Sequence, residues 1–180
     1  MSRISILTPE LAPEASKPLL EAVHKKLGVV PNLFRVAALS PAAFEGLLSL
    51  NGALAKTLDV KTRERIAIAV AEPNGCNYCL SAHTYLGLNL AKITPEDAAM
   101  ARKGSSTDAK AAAAVRFAVE VAKSRGGVSD TDLVVVRQAG FTDAQIVEIV
   151  ALVFTNFLDK VARTDIDFPI LHTAEAAERA

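Results

Sequence analysis

Helix start and stop signals recur along the whole chain while strand signals are nearly absent, and this restricts the fold to helix packed on helix. Alanine and leucine are abundant, and alternating apolar and polar runs are scarce. Ser16 reads as an N-cap with Pro18 in the opening turn, starting a helix to Leu27 with Leu19, Leu20, Val23 and Leu27 on one face. Gly28 ends it, Val29-Val30-Pro31-Asn32 reads as a turn, and a short helix follows from Leu33 to Leu39. Ser40-Pro41 is an N-cap and N1 pair opening a helix to about Leu58, with Phe44, Leu47, Leu48, Leu50 and Leu54 as core candidates. Lys61 to Glu72 is the next helix. Its Ile66, Ala67 and Val70 face the core, Glu64 and Ile68 share another stripe, and Pro73-Asn74-Gly75 breaks it.

The pattern then predicts helices from Cys76 to about Leu90 and from Thr94 to near Arg102. Thr107 or Asp108 caps one to about Ser124, and Ser129 caps Asp130 to Gln138, closed by Gly140. Thr142 caps a long last helix to about Arg163, and the tail from Asp167 reads as loop or short helix. Val134-Val135-Val136 is the one β-branched cluster, and its flanks read as helix. The expected class is all-α, in one domain over 1–180.

Charge removes several function classes. Lys+Arg and Asp+Glu are both 20, so no basic excess points to nucleic acid and no polybasic run to a membrane surface. The longest apolar runs, such as Ile149 to Phe154, fall far short of a membrane span. The first residues lack the apolar core of a signal peptide, so the expected compartment is the cytoplasm. Zero net charge with 51% apolar residues favours a homo-oligomer that hides part of its surface.

The two cysteines of the chain both fall in Cys76-Asn77-Tyr78-Cys79. In a reducing compartment such a pair reads as catalytic or metal-binding before it reads as a staple. The absence of βαβ alternation argues against a thioredoxin fold. Cys76 is expected in the first turn of a helix, where unpaired N–H groups favour a thiolate. Cys79 lies three residues on, near enough to form a disulfide, and His83 stands one turn beyond it. An imidazole there can take the thiol proton or hold the thiolate. Glu64 and Glu72 are the two carboxylates that could complete a relay, and the Tyr78 hydroxyl could join it.

Blander readings stand beside these. The cysteines could be small buried apolar residues, His83 a satisfied core histidine, and Glu64 a partner of Lys61 or Arg65. Tyr78 and Tyr85 read as packing residues, and His24 and His172 as surface residues. Zinc is the competing chemistry, on Cys76, Cys79 and His83 with Glu72 or His24. A second pair of strong ligands is missing, so no metal is expected. A c-type haem is excluded because Leu80 stands where C-x-x-C-H needs histidine.

The stretch from Thr62 to His83, with Glu64, Cys76, Cys79 and His83 at their E…C-x-x-C-x-x-x-H spacing, resembles the core of the AhpD-like alkylhydroperoxidases. These belong to the carboxymuconolactone decarboxylase superfamily, and the core here spans 61–90. Gly28-Val29-Val30-Pro31-Asn32-Leu33-Phe34 resembles the lead-in segment of its peroxidase-related branch. Phe154-Thr155-Asn156-Phe157-Leu158 and Ile166-Asp167-Phe168-Pro169 extend the likeness. The resemblance implies a multi-helix AhpD-like fold, a trimer or hexamer, and no cofactor. It implies that Cys79 attacks hydrogen peroxide or an alkyl hydroperoxide as thiolate. The sulfenic acid then condenses with Cys76, and a dithiol or disulfide-reductase donor restores the pair. By the same resemblance Glu64 and His83 are the proton relay. Tyr78 stands where the best-known members carry a second histidine, which shortens the relay and points to weaker turnover. Pro73 stands where relatives often have an aliphatic residue. Lactone decarboxylation is an alternative that the C-x-x-C argues against, and a redox-sensing oligomer without turnover is another.

Overall fold

The computed structural model describes residues 2–162, 164, 165 and 167, with Asp159 as backbone alone. Among the described residues, two 3₁₀ turns, Pro9–Leu11 and Glu14–Ser16, lead into ten α-helices. They are α1 (Lys17–Leu27), α2 (Asn32–Ala37), α3 (Pro41–Leu54), α4 (Val60–Asn74), α5 (Asn77–Leu86), α6 (Pro95–Arg102), α7 (Ala109–Ser124), α8 (Asp130–Gln138), α9 (Asp143–Thr155) and α10 (Phe157–Ala162). A π-helical stretch, Gly87–Ala91, extends α5. The all-α expectation holds for every described residue, including Val134 to Val136, which lie in α8.

Side-chain caps start most of these helices by occupying N–H groups that the first turn leaves unpaired. Ser40 accepts from the Ala43 N–H, Asp59 from Thr62, Thr94 from Asp97 and Asp108 from Ala111. Ser129 with Asp132, and Thr142 with Gln145, form complete capping boxes.

The centre of the molecule is α4, which packs against α5, α6, α7 and α9. Residues 65–71 are buried on every side of it, not on one stripe. Ile66, Ala69 and Val70 join Val115, Phe117, Val136, Ile149 and Val153 in the largest apolar cluster. Leu20, Val23 and Phe44 anchor a second cluster, whereas Leu27 and Leu50 are exposed.

Several expected boundaries move, each for a local reason. Ser16 caps nothing: it is buried and its Oγ donates to the Ala38 carbonyl at 2.8 Å. Helix α3 stops at Leu54 and not near Leu58. The Arg63 guanidinium reaches the Leu54, Ala55 and Leu58 carbonyls, supplying donors that a longer helix would have provided. Pro73 does not break α4, which runs on to Asn74. Near a helix end a missing N–H costs one bond, and Gly75 at φ +58° makes the actual stop. The expected helix to Leu90 changes to π geometry at Gly87, whose missing Cβ leaves room for Ile93. The long last helix divides at Asn156. Thr155 Oγ1 and Asn156 Nδ2 both donate to the Leu152 carbonyl, competing with the regular ladder. The expected end at Arg163, and Ile166, Phe168, Pro169 and His172, lie outside the described residues. No single helix among the described residues is long and apolar enough to cross a membrane.

Candidate functional site

The turn between α4 and α5 sets the two sulfurs. Gly75 takes the left-handed conformation, its N–H donates to the Glu72 carbonyl, and the Cys76 N–H donates to that of Ala71. The chain therefore reverses within a few residues, and Cys76 becomes the N-cap of α5, not a first-turn residue as expected. Its Sγ accepts from the Cys79 N–H at 3.2 Å. Sulfur thus sits where serine or aspartate usually caps, facing the positive end of the helix. Cys76 and Cys79 are joined as a disulfide, with 5.3 Å between their Cα atoms. Both residues are buried, and Cys79 Sγ lies 3.9 Å from the Asn156 carbonyl oxygen.

His83 lies one turn beyond Cys79 on α5, and Glu64 reaches across from α4. Its Oε2 is 2.9 Å from His83 Nδ1. An ionised carboxylate only accepts, so the pair puts the hydrogen on Nδ1 and leaves Nε2 as the acceptor nitrogen of a neutral ring. Glu64 is more covered than His83, at 16% and 31% side-chain exposure, so the imidazole is the member open to a small molecule. Glu64 pairs with neither Lys61 nor Arg65, as the blander reading had it. Arg65 turns to the buried Asp97, 2.5 Å away, and Lys61 is exposed.

The other candidates have contacts of their own. Glu72 is held by Arg102, with Nε 2.8 Å from its Oε2. Tyr78 is buried, and its hydroxyl accepts from the Leu33 N–H at 3.4 Å. That contact ties α5 to the lead-in segment, whose Asn32 N–H donates to Asp167 Oδ2 at 2.7 Å. The zinc reading loses its proposed fourth ligands, since Glu72 faces a guanidinium and His24 is exposed on α1. No three His, Cys, Asp or Glu side chains among the described residues are grouped to hold a metal ion.

Residues 41–124 match the carboxymuconolactone decarboxylase family. The chain also superposes on a crystal structure of an alkylhydroperoxidase AhpD core, an uncharacterised peroxidase-related protein from Ralstonia eutropha JMP134. Its TM-score is 0.75 at 27% identity, covering 88% of this chain and 86% of that one. The chain is AhpD-like, and the carboxymuconolactone decarboxylase match lies in its segment 41–124. A peroxidase-related protein from Silicibacter sp. TM1040 shares the fold at TM-score 0.76 and 23% identity, over 96% of this chain and 92% of that one. So does the debrominase Bmp8, whose C82A form is in complex with 2,3,4-tribromopyrrole. There the TM-score is 0.75 at 17% identity, over 93% and 92%. No curated protein matches.

Two contacts at this turn come from the packing of distant helices. Asn156 touches Cys79 only because the last helix divides there. Lys160 Nζ sits 3.5 Å from the Gly75 carbonyl, 85 residues away in sequence, and no local pattern brings them together. The protein is accordingly a redox-active, disulfide-forming AhpD-like protein, with an imidazole–carboxylate pair on the two helices that flank its disulfide.

Proposed function

We propose that the chain is a thiol-dependent peroxidase for hydrogen peroxide or alkyl hydroperoxides. The reading rests on one observation: Glu64 and His83 meet at 2.9 Å on the helices that flank the Cys76–Cys79 disulfide. In the reduced state His83 Nε2 receives the Cys79 thiol proton. The thiolate attacks the terminal peroxide oxygen and the O–O bond breaks. The departing alkoxide or hydroxide takes the proton back from the imidazolium, leaving Cys79 as sulfenic acid. Cys76 sulfur then attacks Cys79 sulfur, water leaves, and the disulfide forms. A dithiol or disulfide-reductase donor supplies the two electrons that reopen it. Cys76 suits the resolving role because its N-cap position favours negative charge on its sulfur. No metal or other cofactor takes part.

The acting unit is one domain over 1–180 in a cytoplasmic homo-oligomer, a trimer or hexamer. Exposed Leu90, Val134 and Val135 support burial against further copies. Reduced protein mixed with hydrogen peroxide loses both thiols, and the Cys79→Ser variant loses peroxide consumption. If that variant consumes peroxide at the parent rate, the reading fails. A redox-sensing oligomer without turnover would instead change native mass between oxidised and reduced protein while consuming only one peroxide per chain.

A further inference from the structure

A cleft of about 740 Å³ lies behind the disulfide turn, between the ends of α4 and α7 on one side and α9 and α10 on the other. Its volume falls within the range of small-molecule sites. The walls are apolar: Val150, Phe154 and Phe157 line it, and Phe154 is 73% exposed. Its charged groups are cationic, namely Lys123, Arg125 and Lys160, and no Asp or Glu is among its described lining residues.

Cations at helix C-termini have an ordinary explanation, since each such end carries roughly half a negative charge. Three helices, α4, α7 and α9, end around this cleft. Their ends sum to roughly one and a half negative charges, against three full positive ones, so the described groups leave a positive excess. The α4 and α7 ends are also already capped by backbone, through Gly75, Cys76, Arg125 and Gly126 N–H groups. Asn74, on the wall, adds a buried amide nitrogen with no hydrogen-bond partner among the described residues. An unpaired buried donor is costly, and an acceptor seated beside it after a turn of the amide removes the cost.

The geometry points to a binding site for an amphipathic organic anion, with its apolar body against Phe154 and Phe157 and its carboxylate or sulfonate between Lys160 and Arg125. The site is separate from the sulfurs but shares walls with them. Pro73 and Asn74 lead into the Cys76 turn, and Phe154 and Phe157 flank Asn156, which touches Cys79.

Calorimetric titration of the disulfide form with decanoate, and with decan-1-ol as the neutral control, tests this. Decanoate is expected to bind saturably and at least about tenfold more tightly than the alcohol, as the gain from charge-assisted hydrogen bonds requires. The double variant Lys160→Met, Arg125→Asn is expected to lose that difference. Both residues are exposed, and asparagine tolerates the φ of +57° at 125. No saturable binding, equal affinity for acid and alcohol, or unchanged affinity in the double variant overturns the assignment. So does sedimentation showing that Phe154→Ser disperses an oligomer while decanoate leaves assembly unaltered, because the cleft then belongs to a second copy of the chain.

Discussion

Nδ1 of His83 is committed to Glu64, so the usefulness of the imidazole depends on which nitrogen carries the hydrogen. Replacing Glu64 with glutamine keeps size but changes this choice. The amide can donate to Nδ1, which moves the ring hydrogen to Nε2 and removes the acceptor that a thiol proton needs. The rate of peroxide-dependent thiol loss is therefore expected to fall about 10²-fold in Glu64→Gln, measured by stopped flow under single-turnover conditions. Disulfide formation by a direct thiol oxidant should be little changed, and equal losses in both assays would refute a relay role. At this scale the sequence carried half of the arrangement. Cys79 and His83 share a helix, and their four-residue spacing alone stacks them. Glu64 had two local suitors by spacing, Lys61 and Arg65, and its choice of His83 depends on the angle between α4 and α5. That angle is set by a turn in which Cys76 caps the second helix.

Elements were legible wherever a residue acts on its own neighbours. The Ser40, Thr94, Ser129 and Thr142 caps are local hydrogen bonds, so residue type and spacing suffice to find them. Ends without such a cap signal were not. Arg63 terminates α3 from a different helix, and Asn156 divides the last helix without glycine or proline to announce it. Gly75 lies between these cases. Its place after Pro73-Asn74 marks a stop, and its φ of +58° shows why glycine stands there. A Cβ would also approach Lys160 Nζ to 3.1 Å. Gly75→Ala is expected to cost about 1–2 kcal/mol of stability through left-handed backbone strain. Lysine can swing aside, so crowding adds little. Urea melts of oxidised protein measure the cost, and a melt that matches the parent would show that the turn relaxes to another conformation.

For the whole molecule, what organises the helices is the buried length of α4, and its most consequential polar contact was invisible in sequence. Arg65 and Asp97 are 32 residues apart, both buried, and joined at 2.5 Å. Asp97 also accepts from the Ser106 hydroxyl at 2.8 Å and the Thr107 N–H at 3.0 Å. It thereby pins α6 and the loop before α7 to the central helix. Nothing local distinguishes this aspartate from any acidic residue in a helical first turn, which is how it reads by pattern. Burial pushes its carboxyl up, but the Thr107 N–H, the Ser106 hydroxyl and Arg65 together outweigh burial and hold it below the usual aspartate value. The sign of the pH effect follows. A group with a depressed folded pKa stabilises fully above its unfolded value of about 3.9, and the contribution fades as pH falls through the folded value. Below about pH 4 the parent protein should therefore lose stability steeply, as the fold gives up this pair along with other carboxylate contacts. Asp97→Asn leaves Arg65 charged and buried without its partner, so the expected cost at neutral pH is about 3–5 kcal/mol. The variant should also show a shallower acid limb, because one of the groups that produces the limb is gone. Urea midpoints collected from about pH 3 to pH 7 check both features in one series. A variant as stable as the parent at neutral pH would show that Arg65 finds other acceptors. An unchanged acid limb would assign the acid sensitivity to other carboxylates.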